Sequence, residues 1–317
     1  ISFQDQSAQL PLIKGDCPEL AGVYSQALQD VLHRVDKAFD GFFRRGKRGE
    51  TPGFPRFRAR ARYDSLTYPQ LGFSLEGSQL SLSKTGVVKV KLHRPLEGQV
   101  KTLTLKRECG RWYAIFVCEV EARPLPPSDK AIGLDLGLER FLTVSDGERV
   151  DNPRHLRLAE AQLAKAQQRV SRRRRGSNRR RKAVRLLARQ HQRVRDSRKD
   201  FHHKTARKLV ESCGFIAAED LRIRNMVQNR PLAKSISDAG WGQFVSILQA
   251  KAEYAGREVV LVSPRNTSQT CSRCGAHVPK PLSERVHSCP VCSLVLHRDV
   301  NAARNILRLG RSLQASA

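Results

Sequence analysis

Four of the eight cysteines have the types and spacing of a metal site. They form two Cys-x-x-Cys pairs separated by fourteen residues. Each pair places two sulfurs on one turn, so the four thiolates can complete a closed tetrahedral shell for zinc. The alternative, four unrelated buried thiols, does not explain the matched spacing. One structural zinc is therefore predicted, with ligands Cys271, Cys274, Cys289 and Cys292.

Three carboxylates stand in contexts that suggest a second metal site. Asp135 interrupts the apolar run AIGLDLGL, Glu219 ends the apolar run FIAAE, and Asp299 opens a helical pattern in HRDVNAARNI. A carboxylate in a buried strand is costly unless it is paired, hydrogen-bonded or bound to a cation. Oxygen ligands suit two magnesium ions, which at about 3.5–4 Å separation support phosphodiester hydrolysis. The alternatives are a turn role for Asp135, a salt bridge for Glu219 and N-capping by Asp299.

The charge balance points to a polyanionic partner. The chain carries 58 Lys and Arg against 30 Asp and Glu, a net charge of +28. Such an excess destabilises a compact protein by self-repulsion, and a nucleic-acid partner is its usual reason. The densest segment, 171–196, holds eleven arginines and one acidic residue. A solvated helix face is the alternative, but unbalanced like charges destabilise a helix. The predicted nucleic-acid contacts are Arg172, Arg173, Arg174, Arg175, Arg179, Arg180, Arg181, Arg185, Arg189 and Arg193.

The predicted secondary structure that must position these residues changes along the chain from helix to antiparallel sheet to α/β. Residues 1–16 show little pattern, a helix is predicted over 18–45, and alternation over 71–121 predicts an antiparallel sheet or small barrel. The proline-rich segment 122–129 suggests a boundary. Beyond it the pattern is α/β. We predict paired strands at 130–136 and 140–145, helical sequence over 154–211 interrupted at 171–182, strands at 215–218 and 258–263, and helices at 236–256 and 298–309.

Five motifs in order resemble the transposon-encoded TnpB proteins, long called OrfB-type transposases and related to compact type V CRISPR nucleases. They span residues 129–310, and GFPRF and FF extend the match towards the N-terminus. They are GLDLGLERFLTVSDG, AAEDLRIRNM, SISDAGWGQF, SQTCSRCG with CPVC, and HRDVNAARNI. The resemblance implies α/β plus all-β architecture. Its parts would be a partial helical recognition region (1–50), a β-barrel or wedge domain (51–128), an RNase H-like RuvC nuclease domain (129–263), a zinc ribbon (264–296) and a final RuvC helix with tail (297–317).

The resemblance also implies an activity and its partners. Asp135, Glu219 and Asp299 correspond to the catalytic triad that binds two magnesium ions, and a guide RNA from the transposon end pairs with target double-stranded DNA. Gln26, Gln29 and Thr67 would lie near the duplex motif beside the target. The expected location is the prokaryotic cytoplasm, at the nucleoid. Relatives carry an additional strand and helix before Ile1, so an N-terminally shortened copy is expected, and a non-cleaving nucleic-acid-binding descendant is the alternative function.

Overall fold

A computed structural model describes residues 2–59, 62–281 and 284–315. The chain forms two compact units, one up to Glu121 and one from Ala122 onward. Across the described residues, each helix is too short or too polar to cross a lipid bilayer. The two last residues of the predicted tail, 316–317, lie outside the described part of the chain.

The first unit begins with helices. They are α1 (Phe3–Asp16), the single turn α2 (Pro18–Ala21) and α3 (Ser25–Lys47). The absence of pattern in 1–16 was misleading, because a capping box between Ser2 and Asp5 starts α1 there. The predicted helix over 18–45 corresponds to α2 and α3, with basic residues in the last turn of α3 as the helix dipole favours.

Among the described residues of this unit, six strands form two antiparallel sheets. One sheet has the order β1-β5-β6 and the other β2-β3-β4, and no ladder between described strands closes them into the barrel that the resemblance implied. Both contribute to one core of Tyr68, Leu80, Leu82 and Leu103. The strands are β1 (Ser65–Tyr68), β2 (Phe73–Glu76), β3 (Gln79–Leu82), β4 (Gly86–Lys89), β5 (Gln99–Glu108) and β6 (Arg111–Glu119).

A five-stranded mixed sheet organises the second unit. Its strands are β7 (Ala131–Leu136), β8 (Arg140–Val144), β9 (Arg149–Asp151), β10 (Phe215–Glu219) and β11 (Glu258–Val262). The order is β11-β10-β7-β8-β9, with β7, β8 and β9 forming an antiparallel meander. Strand β10 is parallel to both β7 and β11. The predicted strand pair at 130–136 and 140–145 is confirmed as β7 and β8.

Helices cover both faces of this sheet. Strand residues Ile132, Leu134 and Ile216 pack with helices α5 (Asn178–Ser212) and α8 (Trp241–Tyr254) on one face. On the other face, Phe215 and Ala217 pack against Ile306 of α9 (Arg298–Gln314). The alternation follows from the strand period of two.

Helix α9 approaches the sheet closely because glycines leave room for it. A Cβ at Gly133 of β7 would collide with the carbonyl oxygen of Ala303, and one at Gly310 would lie 2.5 Å from the Ala217 Cβ. The contact between Gly133 and Ala303 brings the first turn of α9 towards the carboxyl end of β7.

The predicted long helical stretch is a hairpin. Helices α4 (His155–Ser171) and α5 are separated at 172–177, inside the predicted interruption. The Arg180 guanidinium closes the hairpin by donating to the carbonyl oxygens of Val170, at 2.8 Å, and Arg173, at 3.3 Å. The single helix predicted over 236–256 is instead α7 (Arg230–Ala239) and α8, because Gly240 between them has a φ of +66°. The remaining elements are α6 (Ile223–Met226), β12 (Val286–Ser288) and β13 (Val295–His297).

Candidate active site

Two of the three predicted carboxylates lie on neighbouring parallel strands. Ala217 and Ala218 of β10 pair with Gly133 and Leu134 of β7. One step further in the same register, Glu219 is brought beside Asp135. Because side chains alternate between faces, both carboxylates are on the face that α9 covers. Asp135 lies within a strand, so the alternative turn role for this residue is wrong.

The third carboxylate lies in the first turn of α9. The N-cap of this helix is His297, whose Nδ1 accepts a hydrogen bond of 3.3 Å from the Asp299 N–H. Asp299 is therefore not the N-cap, and its carboxylate Oδ2 lies 3.7 Å from the same His297 nitrogen. Its position in the first turn is favoured by the helix dipole.

The charges of Glu219 and Asp299 act on Asp135. Burial raises the pKa of Asp135 well above its usual value, and the negative charges of Glu219 and Asp299 raise it further. The Arg298 guanidinium opposes this rise in the Asp135 pKa. A bound divalent cation would relieve the repulsion, so these oxygen donors fit the hard cations that carboxylates prefer.

Glu219 is held by a hydroxyl group. Its side chain is 7% exposed, and its Oε1 accepts a hydrogen bond of 2.6 Å from Thr267 Oγ1. Burial raises the pKa of Glu219, and the bond from Thr267 counteracts part of that rise. Its hydrogen-bond partner is thus a threonine rather than the arginine that the salt-bridge alternative would require.

The four predicted cysteines come together as a compact cluster. All four sulfurs lie within 4.8 Å of one another. The Cys271–Cys292 pair is separated by 3.5 Å and the Cys274–Cys289 pair by 3.6 Å. Sulfurs at about 2.3 Å from a tetrahedral zinc are about 3.8 Å apart, whereas disulfide sulfurs are bonded at about 2.05 Å. The spacing fits zinc and not a disulfide.

Backbone amides prepare this cluster for a cation. Burial opposes ionisation of Cys271, but hydrogen bonds from the N–H groups of Cys274 and Arg273 outweigh it and lower the Cys271 pKa to about 5. An N–H bond from Cys292 is the main cause that lowers the pKa of Cys289. Burial and the neighbouring cysteines instead raise the pKa of Cys292 to about 12. Thiolates are the form that binds zinc, so the backbone favours the ligand state at Cys271 and Cys289, whereas Cys292 would need the cation itself to ionise.

Three polar residues link the carboxylates to the cysteine cluster, and the sequence motifs did not single them out. They are Thr267 and two residues of α9, Asn301 and Asn305, which are 0% and 1% exposed. Both donate to the carbonyl oxygen of Thr270. A sequence signal was present for the asparagines, since two amides four residues apart lie among the buried Ala302, Ala303 and Ile306. Thr267 carried no comparable signal.

The predicted arginine contacts are grouped at the hairpin of α4 and α5. All except Arg180 are exposed. Arg180 is half-buried and its guanidinium bonds the hairpin turn, which gives it a structural role in the protein. The exposed members form a dense positive surface suited to phosphate contacts.

The predicted contacts in the first unit are less exposed. Thr67 is 9% exposed, and its hydroxyl accepts a bond of 2.8 Å from Arg34 and lies 3.3 Å from the Thr104 hydroxyl. Gln26 and Gln29 are half-buried on α3, and Gln26 Oε1 accepts a bond of 3.5 Å from the Leu71 N–H. The structure therefore brings Thr67 into the interior rather than to a free surface.

Comparison with known proteins gives two family matches. The OrfB_IS605 family, described as "Probable transposase", matches residues 115–230. The family described as "Cas12f1-like, TNB domain" matches residues 241–306. The second match includes the cysteine cluster and most of α9.

Two relatives match nearly the whole chain. A Streptomyces pristinaespiralis protein named "Putative RNA-guided DNA endonuclease" is 40% identical over 305 residues, covering 94% of this chain and 74% of that protein. The similarly named InsQ of Escherichia coli strain K12 is 33% identical over 310 residues, covering 92% of this chain and 76% of its own. A solved Cas12f1–sgRNA–target DNA complex aligns at a TM-score of 0.43 with 13% identity, over 97% of this chain and 85% of that one.

Proposed function

The chain belongs to the TnpB family, and on that premise we propose that it is a transposon-encoded, RNA-guided DNA endonuclease. It would hydrolyse phosphodiester bonds of target DNA at a single RuvC site. The observation that carries the proposal is geometric: the strand register brings Glu219 beside Asp135, and Asp299 lies close enough to raise the Asp135 pKa together with Glu219. Carboxylates gathered in this way have little structural use, whereas a nuclease needs them to bind cations.

Asp135, Glu219 and Asp299 would hold two magnesium ions. Such ions stabilise the charge on the attacking and leaving oxygens of a phosphodiester displacement. The chain's own residues would fix the geometry. Strands β7 and β10 would align Asp135 with Glu219, and the close contact of α9 at Gly133 would bring Asp299 towards both.

The architecture supports assignment of the second unit to an RNase H-like nuclease domain. An antiparallel meander followed by two parallel strands, with helices on both faces, would present the carboxylates at one edge. The cysteine cluster would hold one structural zinc in a ribbon at 264–296. In the first unit, α1 to α3 would form part of the recognition region and the two antiparallel sheets the wedge domain.

The basic hairpin would contact the backbone of the guide RNA and of its duplex with target DNA. Its exposed arginines, on the turn and along one side of α5, would neutralise phosphates without reading sequence. Specificity would then come from base pairing, which a backbone-binding surface permits. We also propose that Gln26 and Gln29 lie near the short DNA duplex motif that adjoins the target. A contact from Thr67 to this duplex would require exposure of its buried hydroxyl.

The test is co-expression of the chain with the transposon-end DNA, followed by sequencing of the RNA that co-purifies. We expect one defined RNA, and Mg²⁺-dependent cutting of DNA that matches it. Asp135→Asn should retain the RNA and bind the target without cutting it. Heterogeneous RNA that washes off in high salt would contradict guide binding. Target binding without cleavage by the parent protein would favour the non-cleaving alternative.

A further inference from the structure

The segment 267–272 runs between the carboxylates and the cysteine cluster and is hydrogen-bonded at both ends. At one end, Thr267 Oγ1 donates to Glu219 Oε1 at 2.6 Å. At the other end, the Ser272 N–H donates to Asn301 Oδ1 at 2.9 Å. Since Ser272 follows Cys271 directly, this short segment joins a candidate magnesium ligand to a candidate zinc ligand.

Helix α9 holds the same segment along its length. Asn305 Nδ2 donates to the carbonyl oxygens of Thr267, at 2.8 Å, and Thr270, at 2.6 Å. Asn301 Nδ2 donates to the Thr270 oxygen at 2.8 Å. Buried amides are costly unless hydrogen-bonded, and here the amide N–H groups bind the backbone of 267–272. Asp299 lies on the same helix, two residues before Asn301.

We infer that Thr267, Asn301 and Asn305 are positioning residues that hold Glu219 in its cation-binding orientation and couple it to the cysteine cluster. The inference rests on the proposed function, because it takes Glu219 as a cation ligand. Partners of a metal ligand fix its orientation, and their loss typically weakens metal affinity about 10- to 100-fold. Thr267 is 5% exposed, so water does not readily replace its hydroxyl.

Coupling of this kind is reciprocal. A cation bound at Glu219 immobilises Thr267 and the segment behind it, and the segment in turn holds Cys271 and Ser272 in place. Occupancy of the carboxylates should therefore slow the release of zinc from the cysteines. A residue that served only to stabilise the fold would not transmit this effect.

The test uses the full chain in the forms Thr267→Val, which keeps the shape and removes the hydroxyl, and Thr267→Ser, which keeps the hydroxyl. Thr205→Val is the matched control, a buried threonine of α5 on the opposite side of the sheet. Mn²⁺ binding is measured from the signal of free Mn²⁺ in electron paramagnetic resonance, and zinc content by mass spectrometry. We expect Thr267→Val to bind Mn²⁺ about tenfold more weakly at full zinc content. Thr267→Ser and Thr205→Val should match the parent.

Zinc release to a chromogenic chelator, with and without saturating Mg²⁺, tests the coupling. We expect Mg²⁺ to slow release about fivefold in the parent, at the lower end of common coupling energies. The slowing should be lost in Thr267→Val and kept in Thr267→Ser. Unchanged Mn²⁺ affinity in Thr267→Val, or no effect of Mg²⁺ on zinc release in the parent, would overturn the inference.

Glu219→Gln separates this inference from the proposed function. If Glu219→Gln binds Mn²⁺ as the parent does, Glu219 is not a cation ligand and the proposed nuclease site fails. If Glu219→Gln loses Mn²⁺ binding while Thr267→Val does not, the site stands and only the positioning role fails. Asn305→Leu extends the test, since Asn305 bonds neither a carboxylate nor a sulfur in the structure. It should also weaken Mn²⁺ binding about tenfold.

Discussion

The cysteine cluster and the carboxylate group of the second unit differ in how far the protein fixes them before a metal arrives. The four sulfurs come from one stretch, 271–292, and lie within 4.8 Å of one another. The carboxylates come from β7, β10 and α9. Four sulfurs can close the shell of one ion, which suits its retention, whereas three carboxylates from separate elements would leave coordination positions for water and substrate.

The two groups also differ in electrostatics. Around Cys271, backbone N–H groups overcome the effect of burial and lower the thiol pKa to about 5. Around Asp135, burial and two neighbouring carboxylates raise the pKa well above its usual value. The backbone therefore favours the thiolate at Cys271 before an ion binds, while burial and the charges of Glu219 and Asp299 oppose ionisation of Asp135.

The largest effect that separates the two groups should come from Asp299→Asn. Loss of one charged ligand removes several kcal/mol of transition-state stabilisation, so we expect cleavage to fall at least about a thousandfold. Zinc content should stay at one per chain. Single-turnover cleavage and mass spectrometry of the metal measure both. A variant that cuts within tenfold of the parent would remove Asp299 from the active site.

Cys292→Ser should disrupt the cysteine cluster and leave the sheet that carries the carboxylates folded. We expect loss of zinc and rapid proteolysis within 264–297, because ligand loss removes the folding energy that the metal supplies. The sheet and α5 should remain protected, since their core does not include any of the four clustered cysteines. Limited proteolysis with mass mapping checks this, and Cys17→Ser, at an exposed cysteine of the first unit, is the control. Retention of zinc by Cys292→Ser would show that three cysteines suffice.

Gly133→Ala should disturb the carboxylates while leaving the cysteines intact. The added methyl group collides with the Ala303 carbonyl oxygen and pushes α9 away from β7. Overpacking of this kind costs about 1–3 kcal/mol, and each kcal/mol lowers Tm by about 2–4 °C in a domain of this size. Gly46→Ala is the control, because a Cβ there meets nothing within 4 Å. Equal Tm values for the two variants would mean that α9 does not depend on this contact.

The smallest effect is a gain in stability. Since burial and like charges raise the pKa of Asp135, the folded protein binds that proton more tightly than the unfolded chain. The corresponding stability is present below the pKa of the unfolded carboxyl and is lost as the pH rises through the folded value. Asp135→Asn should therefore raise the Tm of the metal-free protein near neutral pH, by about 2–4 °C for each kcal/mol that the buried, repelled charge costs.

Low pH and added Mg²⁺ are the two controls for the higher Tm expected of Asp135→Asn. The difference in Tm between Asp135→Asn and the parent should shrink as the pH falls through the folded pKa of Asp135, and it should vanish below the pKa of the unfolded carboxyl. Saturating Mg²⁺ should reduce this difference in Tm at neutral pH, because it stabilises the parent. Thermal unfolding at two pH values, with and without Mg²⁺, measures these differences. A parent that is as stable as the variant in every condition would show that the ionised Asp135 carboxylate does not destabilise the fold.

Much of this architecture could be predicted from sequence because strands, turns and helix ends depend on neighbouring residues in the chain. The short apolar stretches at 130–136 and 140–145 located β7 and β8, and the glycine and arginine run marked the hairpin between α4 and α5. Helix α1 lacked a clear apolar stripe and contains Pro11, so only its capping box indicated a helix. The break between α7 and α8 was encoded by Gly240, a typical left-handed helix end.

The candidate site was predicted in its residue types but not in its supporting contacts. Cysteine spacing alone indicated the cluster that the structure contains. The carboxylates needed the fold to bring β7, β10 and α9 together, and their catalytic role remains a prediction. Thr267 could not be found from sequence, because its partner Glu219 is 48 residues away and a single threonine in a loop has no pattern.

The late position of α9 in the chain has a consequence for protein synthesis. The sheet is complete at Val262, but the helix that covers one of its faces begins only at Arg298 and ends at Gln314. At about 5–20 residues per second, a ribosome exposes that apolar face for several seconds before the helix emerges. Asp299 arrives with the helix, so a nascent chain lacks a complete carboxylate group throughout that interval. Chaperone binding to ribosome-held chains that end before and after α9 would show how the cell protects this face.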